Sequence, residues 1–183
     1  DEQGMRQLND DVEVPLVRVL AKMEEAGVGV DVKELTRLRD DLTTECDRLR
    51  NEIQEVAGEA FNVNSTKQLR VILFEKLGLA PGRKTKTGYS TNAATLEKLR
   101  GEHVIVELLL SYREVEKLRS TYGEGLLAEV GEGERIRATF NQTVTRTGRL
   151  SSDAPNLHNI PVRSEMGRAF RRAFVPAAGT TLL

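Results

Sequence analysis

The sequence predicts a mainly α-helical chain with a small α+β portion at its C-terminal end. Apolar residues recur at helical spacing over most of residues 10–130, and beyond Gly131 the spacing changes to the alternation typical of strands. Composition agrees, since 39% hydrophobic and 30% charged residues suit a helix-rich globular chain better than a disordered one.

The first predicted helix covers about residues 10–26 and is expected to end at Gly27. Its apolar face consists of Val12, Leu16, Val19, Leu20 and Met23. Asp31 and Glu34 form a capping-box pattern, which predicts the start of a second helix.

The second predicted helix is long and ends near Gly58, so at ~1.5 Å per residue it would span roughly 40 Å. Its apolar residues follow heptad spacing: Leu35, Leu38, Leu42, Cys46, Leu49, Ile53 and Val56. So narrow a stripe needs a partner helix, and residues 104–130 have suitable spacing. We therefore predict a long antiparallel helical arm, with the insertion at residues 59–103 forming its tip.

Two short helices are predicted within the tip. One opens at the capping pattern Ser65–Gln68 and ends at Gly78, and the other covers about residues 92–100, capped by Ser90 or Thr91. The loop between them carries Arg83, Lys84 and Lys86 without an acidic residue. Helix N-termini beside a basic loop suit a nucleic-acid backbone. A solvated basic loop is the alternative, and composition alone favours it.

Strand-like alternation covers residues 135–140, and a polar loop covers residues 141–163. Residues 169–183 are expected to form a short hairpin that turns at Ala178–Gly179. The loop concentrates planar polar side chains: Arg146, Arg149, Asn156, His158, Asn159 and Arg163. Such donors can read the acceptors that every base pair presents in the minor groove. Equally, the polar side chains of the loop can satisfy its own backbone.

A second basic run consists of Arg168, Arg171 and Arg172. These side chains could contact phosphate, but the pattern is more typical of a solvated helix face. Charge as a whole favours the later parts of the chain for a polyanion. Residues 1–60 hold 8 basic and 16 acidic residues, whereas residues 141–183 hold 6 and 2, within a net charge of −1.

Several classes of function are disfavoured. One cysteine and two histidines are too few for a Cys/His zinc site, and Cys46 belongs to the apolar stripe rather than to a nucleophilic site. After Arg137 the acidic residues are Asp153 and Glu165, twelve positions apart, which does not suggest two-metal phosphoryl transfer. We expect neither a membrane span nor a secretion signal, and we expect a piece of a longer protein.

Six segments occur in a recognisable order: PLVRVLAKMEEAGVGVD, FNVNSTKQL with LFEKLGL, KTKTGYST, YREVEKLRSTY, FNQTVTRTGRLSS and DAPNLHNIPVRSEMGRAFRRAF. The order and the long TRTGRLSS-centred motif resemble the family A DNA polymerases, the bacterial DNA polymerase I group. The resemblance covers nearly the whole chain.

The resemblance implies a linker at residues 1–9 from an upstream exonuclease-type domain, a thumb subdomain at 10–130 and the N-terminal part of a palm at 131–183. It implies primer–template duplex DNA as the partner of a monomeric, cytoplasmic, nucleoid-associated enzyme. The parent would be a DNA-directed DNA polymerase that uses deoxynucleoside triphosphates and Mg²⁺. The metal-binding carboxylates would lie beyond Leu183, so the fragment alone is expected to be inactive and to hold no cofactor.

The resemblance also implies residues that bind DNA. Backbone contacts are expected from Asn64, Ser65, Thr66, Arg83, Lys84, Thr85, Lys86, Ser90, Arg119, Ser120 and Thr121. The polar loop would add Arg146, Arg149, Asn156, His158 and Arg163. Of these, Arg149 would probe the minor groove at the primer terminus.

Three positions depart from the family pattern: His158 stands where Gln is usual, Arg137 where His is frequent, and Thr66 where Pro is frequent. A non-catalytic helical scaffold, with the heptad stripe as a partner-binding seam, is the competing hypothesis. The basic tip and the Arg149 loop argue for DNA, because a scaffold needs neither.

Overall fold

The computed structural model describes residues 4–82, 84–85, 88–161 and 165–182. Their contacts divide the chain into two compact units. The central unit comprises residues 40–119, and the terminal unit comprises residues 1–39 and 120–183. The predicted class, mainly α with a small α+β portion, is confirmed.

Helices α1 (Arg6–Leu8) and α2 (Val14–Ala26) are joined by a π-helical stretch, Asn9–Glu13. The helix ends at Gly27 as predicted, with a φ of 60° there, and a Cβ at this position would lie 2.7 Å from the Ile136 carbonyl oxygen. Of the predicted apolar face only Leu20 is buried, whereas Val12, Val19 and Met23 are about half exposed.

Strand β1 (Val28–Val30) follows and leads into α3 (Val32–Ala57). The side chain of Asp31 caps α3 by accepting a hydrogen bond from the Glu34 N–H at 3.0 Å, as the capping pattern predicted. Gly58, with a φ of 74°, follows the last residue of α3. The first residues of α3 belong to the terminal unit and the rest to the central unit.

The central unit continues with α4 (Thr66–Arg70), a π-helical stretch (Val71–Lys76), the hairpin of β2 (Lys84–Thr85) and β3 (Gly88–Tyr89), α5 (Ala93–Lys98) and α6 (Val104–Leu118). The heptad stripe is buried as predicted from Leu35 to Ile53, and Val56 is partly buried. The core contains Cys46, Leu49 and Ile53 of α3 with Ile105, Val106, Leu109 and Tyr112 of α6.

Two details of the tip differ from prediction. The cap of α5 is Asn92 rather than Ser90 or Thr91, since the Asn92 side chain accepts from the Thr95 N–H at 2.9 Å. The basic loop contains the β2–β3 hairpin, in which Lys84 pairs with Tyr89 and Thr85 with Gly88. Strands of two residues each show too little alternation for the sequence to reveal them.

A π-helical stretch (Arg119–Glu124) begins at the last residue of the central unit, and the terminal unit continues with α7 (Gly125–Ala128), β4 (Val130–Gly131) and β5 (Arg135–Ile136). Next come β6 (Thr139–Asn141), β7 (Ser151–Asp153), a 3₁₀ turn (Leu157–Asn159), α8 (Glu165–Arg172) and β8 (Phe174–Val175). An antiparallel sheet has the order β4-β5-β1-β8, and β6 pairs with β7 separately.

The predicted hairpin at residues 169–183 is wrong. Residues 165–172 form α8, and β8 pairs with β1 rather than with a neighbouring strand. The turn itself exists, because the Thr180 N–H donates to the Ala177 carbonyl at 3.0 Å. The predicted strand at 135–140 is two short strands, β5 and β6, which belong to different sheets.

Candidate nucleic-acid interface

A shallow pocket of about 250 Å³ lies on the tip of the central unit. It brings together the predicted residues Thr66 and Ser90, which are far apart in sequence. The pocket is lined by Thr66, Arg70, Tyr89, Ser90, Thr91, Asn92 and Arg113. Two guanidinium groups, hydroxyls and an amide around one depression make a suitable surface for an anionic oxygen.

The turn that enters α4 is held by its own side chains. Ser65 accepts a hydrogen bond from the Gln68 N–H at 3.4 Å, and Gln68 accepts one from the Asn62 N–H at 2.7 Å. The Asn62 side chain in turn accepts from the Asn64 N–H at 2.9 Å. Asn64 and Thr66 are exposed, so they are presented on a preformed turn, whereas the Ser65 hydroxyl acts as the helix cap.

The segment before α5 is fixed by Arg113 of helix α6. Its guanidinium donates a hydrogen bond to the Thr91 carbonyl, and the Ser90 hydroxyl accepts from the Asn92 N–H at 3.3 Å. Partial burial lowers the pKa of Arg113, since the guanidinium has lost part of its hydration. No carboxylate within the described ranges forms an ion pair with it.

Sequence reasoning did not identify Arg70 or Arg113. Arg70 follows Thr66 by four positions on one helix, and its guanidinium donates to the Thr66 carbonyl at 3.0 Å. This helical spacing is the signal in the sequence that could have indicated Arg70. Arg113 had no such signal, because it lies 22 residues from its partner Thr91.

Lys84 is exposed on the hairpin, and its ammonium lies 5.9 Å from the centre of the Tyr89 ring. The Tyr89 ring packs edge-on against Phe74 at 5.8 Å, so the hairpin is anchored to the core. Arg83, Lys86 and the side chain of Thr85 lie outside the described residues. The same holds for Arg163 in the polar loop.

Arg119 is engaged within the central unit, where its guanidinium donates to both carboxylate oxygens of Glu116 at 2.8 and 2.9 Å. Ser120 and Thr121 are exposed on the π-helical stretch that follows. These two residues thus lie at the surface, whereas the arginine is held in a bidentate ion pair.

Glu116 also accepts a hydrogen bond from the buried Cys46 thiol at 3.3 Å. Hydrogen bonds from Arg119 hold the pKa of Glu116 below its usual value. Burial, with the neighbouring carboxylate, raises the pKa of Cys46 to about 11. The depressed Glu116 pKa stabilises the fold above the pKa of an unfolded glutamate, and this stabilisation is lost as pH falls through the folded value.

We therefore expect Glu116→Gln to reduce the free energy of unfolding by about 1–2 kcal/mol at neutral pH, and by much less in acid. Urea denaturation at a series of pH values measures this. The control is Glu97→Gln, because Glu97 pairs with Arg100 on the surface, where each side chain is about half exposed. Solvent screens an exposed pair, so this variant should change the free energy of unfolding little. A pH-independent loss in Glu116→Gln would contradict the expectation.

The TRTGRLSS segment forms the loop of the β6–β7 hairpin and its exit strand. Phe140 pairs with Ser152 and Asn141 with Ser151, so residues 142–150 make the loop. Inside it the Thr145 hydroxyl donates to the Arg149 carbonyl, and Gly148 has a φ of 74°. Arg146 and Arg149 are both exposed at this end of the hairpin.

A turn after β7 presents Asn156 and His158, which are both exposed. The buried Ser152 hydroxyl organises the turn, since it donates to the Pro155 carbonyl at 3.0 Å and accepts from the Leu157 N–H at 3.4 Å. His158 lies against the Phe140 ring, with ring centres 6.1 Å apart. The two predicted polar groups are therefore carried by the same hairpin as Arg149.

Arg168, Arg171 and Arg172 of α8 are exposed, in agreement with a solvated helix face. Within the described ranges, no three His, Cys, Asp or Glu side chains are grouped closely enough to hold a metal ion. None of the described helices is long and apolar enough to cross a membrane.

Comparison with known proteins gives a consistent result. The model of DNA polymerase family A matches residues 32–183. DNA polymerase I of Bacillus subtilis is 51% identical over 172 residues, which are 93% of this chain and 20% of that protein. The thermostable DNA polymerase I of Thermus filiformis is 52% identical over 180 residues, or 96% of this chain and 22% of its own.

The structure is similar to the POL domain of Pol1 from M. smegmatis in complex with a DNA primer-template and dNTP. The TM-score is 0.87 at 41% identity, with 96% of this chain and 31% of that chain covered. The chain thus spans about a fifth of the length of the curated relatives it matches.

Proposed function

The chain belongs to DNA polymerase family A, and from this premise we propose that it is the part of a DNA-directed DNA polymerase that holds the primer–template duplex. The observation that carries the proposal is the tip pocket, where Arg70 and Arg113 meet Thr66, Ser90 and Asn92. Such a site fits a backbone phosphate, and it makes no demand on base sequence.

The second contact of the proposal is the exposed loop of the β6–β7 hairpin. Arg149 projects from a loop that is closed by a hydrogen bond from Thr145, and Asn156 and His158 are exposed on the turn that follows β7. We propose that Arg149 donates to minor-groove acceptors at the primer terminus, which tests the shape of the terminal pair. Arg146, Ser120 and Thr121 would contact the backbone.

The subdomain limits also belong to the proposal. Residues 1–9 would form a linker, residues 10–130 the thumb with its tip at 59–103, and residues 131–183 the first part of the palm. Arg83, Thr85, Lys86 and Arg163 keep their proposed contacts with DNA on the sequence resemblance alone.

The parent enzyme would add deoxynucleotides to a primer with the aid of Mg²⁺. The described residues do not fit that metal, since no acidic cluster is formed among them. The segment would therefore grip DNA as a monomeric part of the polymerase, while carboxylates elsewhere in the parent bind the ions. The competing scaffold hypothesis requires the heptad stripe to bind a partner protein. Burial argues against this, because Leu42, Leu49 and Ile53 of the stripe are at most 2% exposed inside the chain's own core.

We expect duplex DNA to bind this chain weakly and with strong salt dependence. Three phosphate contacts from the basic tip would give a log–log slope of the binding constant against salt of about −2.7. Lys84→Gln should change the slope by about 0.9, since one contact is removed. Fluorescence anisotropy with a labelled duplex over a salt series measures both values.

The matched control is Lys98→Gln, which removes the same charge from the exposed last turn of α5, at the opposite end of that helix from the pocket. Its slope should equal that of the unmodified chain. Equal slopes for all three proteins would exclude Lys84 as a phosphate contact, and no binding at low salt would exclude the tip as a whole.

A further inference from the structure

Helix α2 is tied to the strand that enters the Arg149 loop. The Phe140 N–H of β6 donates a hydrogen bond to the Glu24 carboxylate at 2.6 Å. Two residues further on, the Gln142 side chain donates to the Glu13 backbone carbonyl at 2.9 Å, and it also contacts the Glu13 carboxylate. Glu24 of α2 thus holds β6, and Glu13, at the end of the π-helical stretch that precedes α2, holds the first residue after β6.

The Glu24 bond has a particular physical role, because β6 and β7 form a two-stranded sheet among the residues that the structure describes. The Phe140 N–H is directed away from β7, and a half-buried N–H of this kind needs an acceptor. Glu24 supplies one with a full charge, which makes the bond stronger than one between neutral groups.

Close packing does not fix the hairpin at this place. An apolar pocket of about 210 Å³ remains open beside it, lined by Met23 and Ala26 of α2, Phe140 of β6 and Leu157 of the following turn. Because side chains do not fill this space, the hydrogen bonds from α2 set the position of β6 more directly than van der Waals contact does.

We propose that Glu24 is a positioning residue for Arg149, which it places by anchoring β6. The inference rests on the proposed role of Arg149 at the primer terminus. A shift of β6 would displace Arg149 through two direct connections. Asn141 of β6 pairs with Ser151, and the Thr145 hydroxyl donates a hydrogen bond to the Arg149 carbonyl within the loop. Glu24 itself would not contact DNA.

The first test reads the anchor without DNA. In the complete polymerase, Glu24→Ala should speed amide hydrogen exchange in peptides covering β6 and its loop by roughly tenfold, because a hydrogen bond to a charged group is lost. Glu24→Gln should restore slow exchange, since the amide oxygen still accepts. Glu25→Ala is the matched control, because Glu25 is an exposed acidic residue next to Glu24, and the substitution keeps its backbone carbonyl, which accepts a hydrogen bond from Arg137.

The second test reads Arg149. Glu24→Ala should lower the ratio of extension rates from matched and mismatched primer ends, and it should have no further effect on that ratio in an Arg149→Ala background. Thermal unfolding of each variant controls for a global loss of stability.

Unchanged exchange in Glu24→Ala would overturn the inference, and so would an additive effect in the double variant. If Arg149→Ala alone leaves the ratio unchanged, the proposed role of Arg149 fails, and the positioning claim fails with it even if the exchange result shows the anchor. The two failures are therefore distinguishable: unchanged exchange in Glu24→Ala rejects the anchor, and an unchanged rate ratio in Arg149→Ala rejects the role of Arg149.

Discussion

Replacing Arg149 by alanine should slow primer extension by the complete polymerase roughly 10- to 100-fold, since a hydrogen bond from a charged donor contributes about 1.5–3 kcal/mol. Duplex affinity should fall only a few-fold. Arg149 lies exposed on the loop of the β6–β7 hairpin, and the hydrogen bond that closes this loop uses its backbone carbonyl, which the substitution keeps. Its loss therefore removes an interaction without unfolding the site.

The rate should suffer more than the affinity because the contact forms fully only when a correct pair occupies the primer end. Interactions that are stronger in the transition state than in the bound ground state raise the rate rather than the affinity. Single-turnover extension from matched and mismatched primers measures both the rate and the discrimination. Unchanged extension kinetics would refute the role of Arg149.

Arg146→Ala is the matched comparison, because Arg146 is equally exposed in the same loop and carries the same charge. A contact with the DNA backbone does not depend on whether the terminal base pair is matched. This variant should therefore weaken binding and reduce the salt slope by about 0.9, but it should leave mismatch discrimination intact. If both variants lose discrimination equally, the loop acts as a charged surface and Arg149 has no special function.

The long elements were predictable because their signals are local and repeated. The stripe from Leu35 to Ile53 fixed α3 and its need for a partner, and Asp31 and Gly58 marked its ends. Strand β1 was missed, because three residues between two helices show no alternation. The hairpin expected at the end of the chain failed for a related reason: Phe174–Val175 finds its partner in β1, about 145 positions earlier in the sequence.

The candidate site was predictable where it is contiguous. The turn around Ser65 and the loop around Arg149 are each encoded in one short segment, and both are present as preformed turns. The partners Arg113 and Glu24 were not predictable, since each acts through a backbone group of a distant segment. Because the backbone partner is the same for almost any residue type at that position, the sequence there does not indicate the bond.

Phe170 should be the residue of the terminal unit on which the shape of the polar loop depends most. It is fully buried in α8, and its ring centre lies 5.8 Å from that of Tyr122. The Tyr122 hydroxyl donates to the Asn159 carbonyl, at the end of the turn that carries His158. Helix α8 is thereby connected to the candidate DNA-binding turn through two aromatic side chains.

Phe170→Ala should reduce the free energy of unfolding of the terminal unit by about 3–5 kcal/mol, because a large ring is lost and a cavity remains. Phe170→Leu refills part of that space and should lose roughly 1–2 kcal/mol. Tyr122→Phe removes only the hydrogen bond to Asn159, for which about 1 kcal/mol is expected. Val144→Ala is the control, since this side chain is 69% exposed and should change stability little.

Urea denaturation of the four variants checks the order of these losses. Discrimination of mismatched primers should follow a different order, because Tyr122→Phe frees the Asn159 carbonyl beside the DNA-binding turn while it leaves the core filled. A Tyr122→Phe variant that is nearly as stable as the unmodified protein yet discriminates poorly would show that the turn is held by this bond. Equal discrimination at unchanged stability would show that packing against Phe170 suffices.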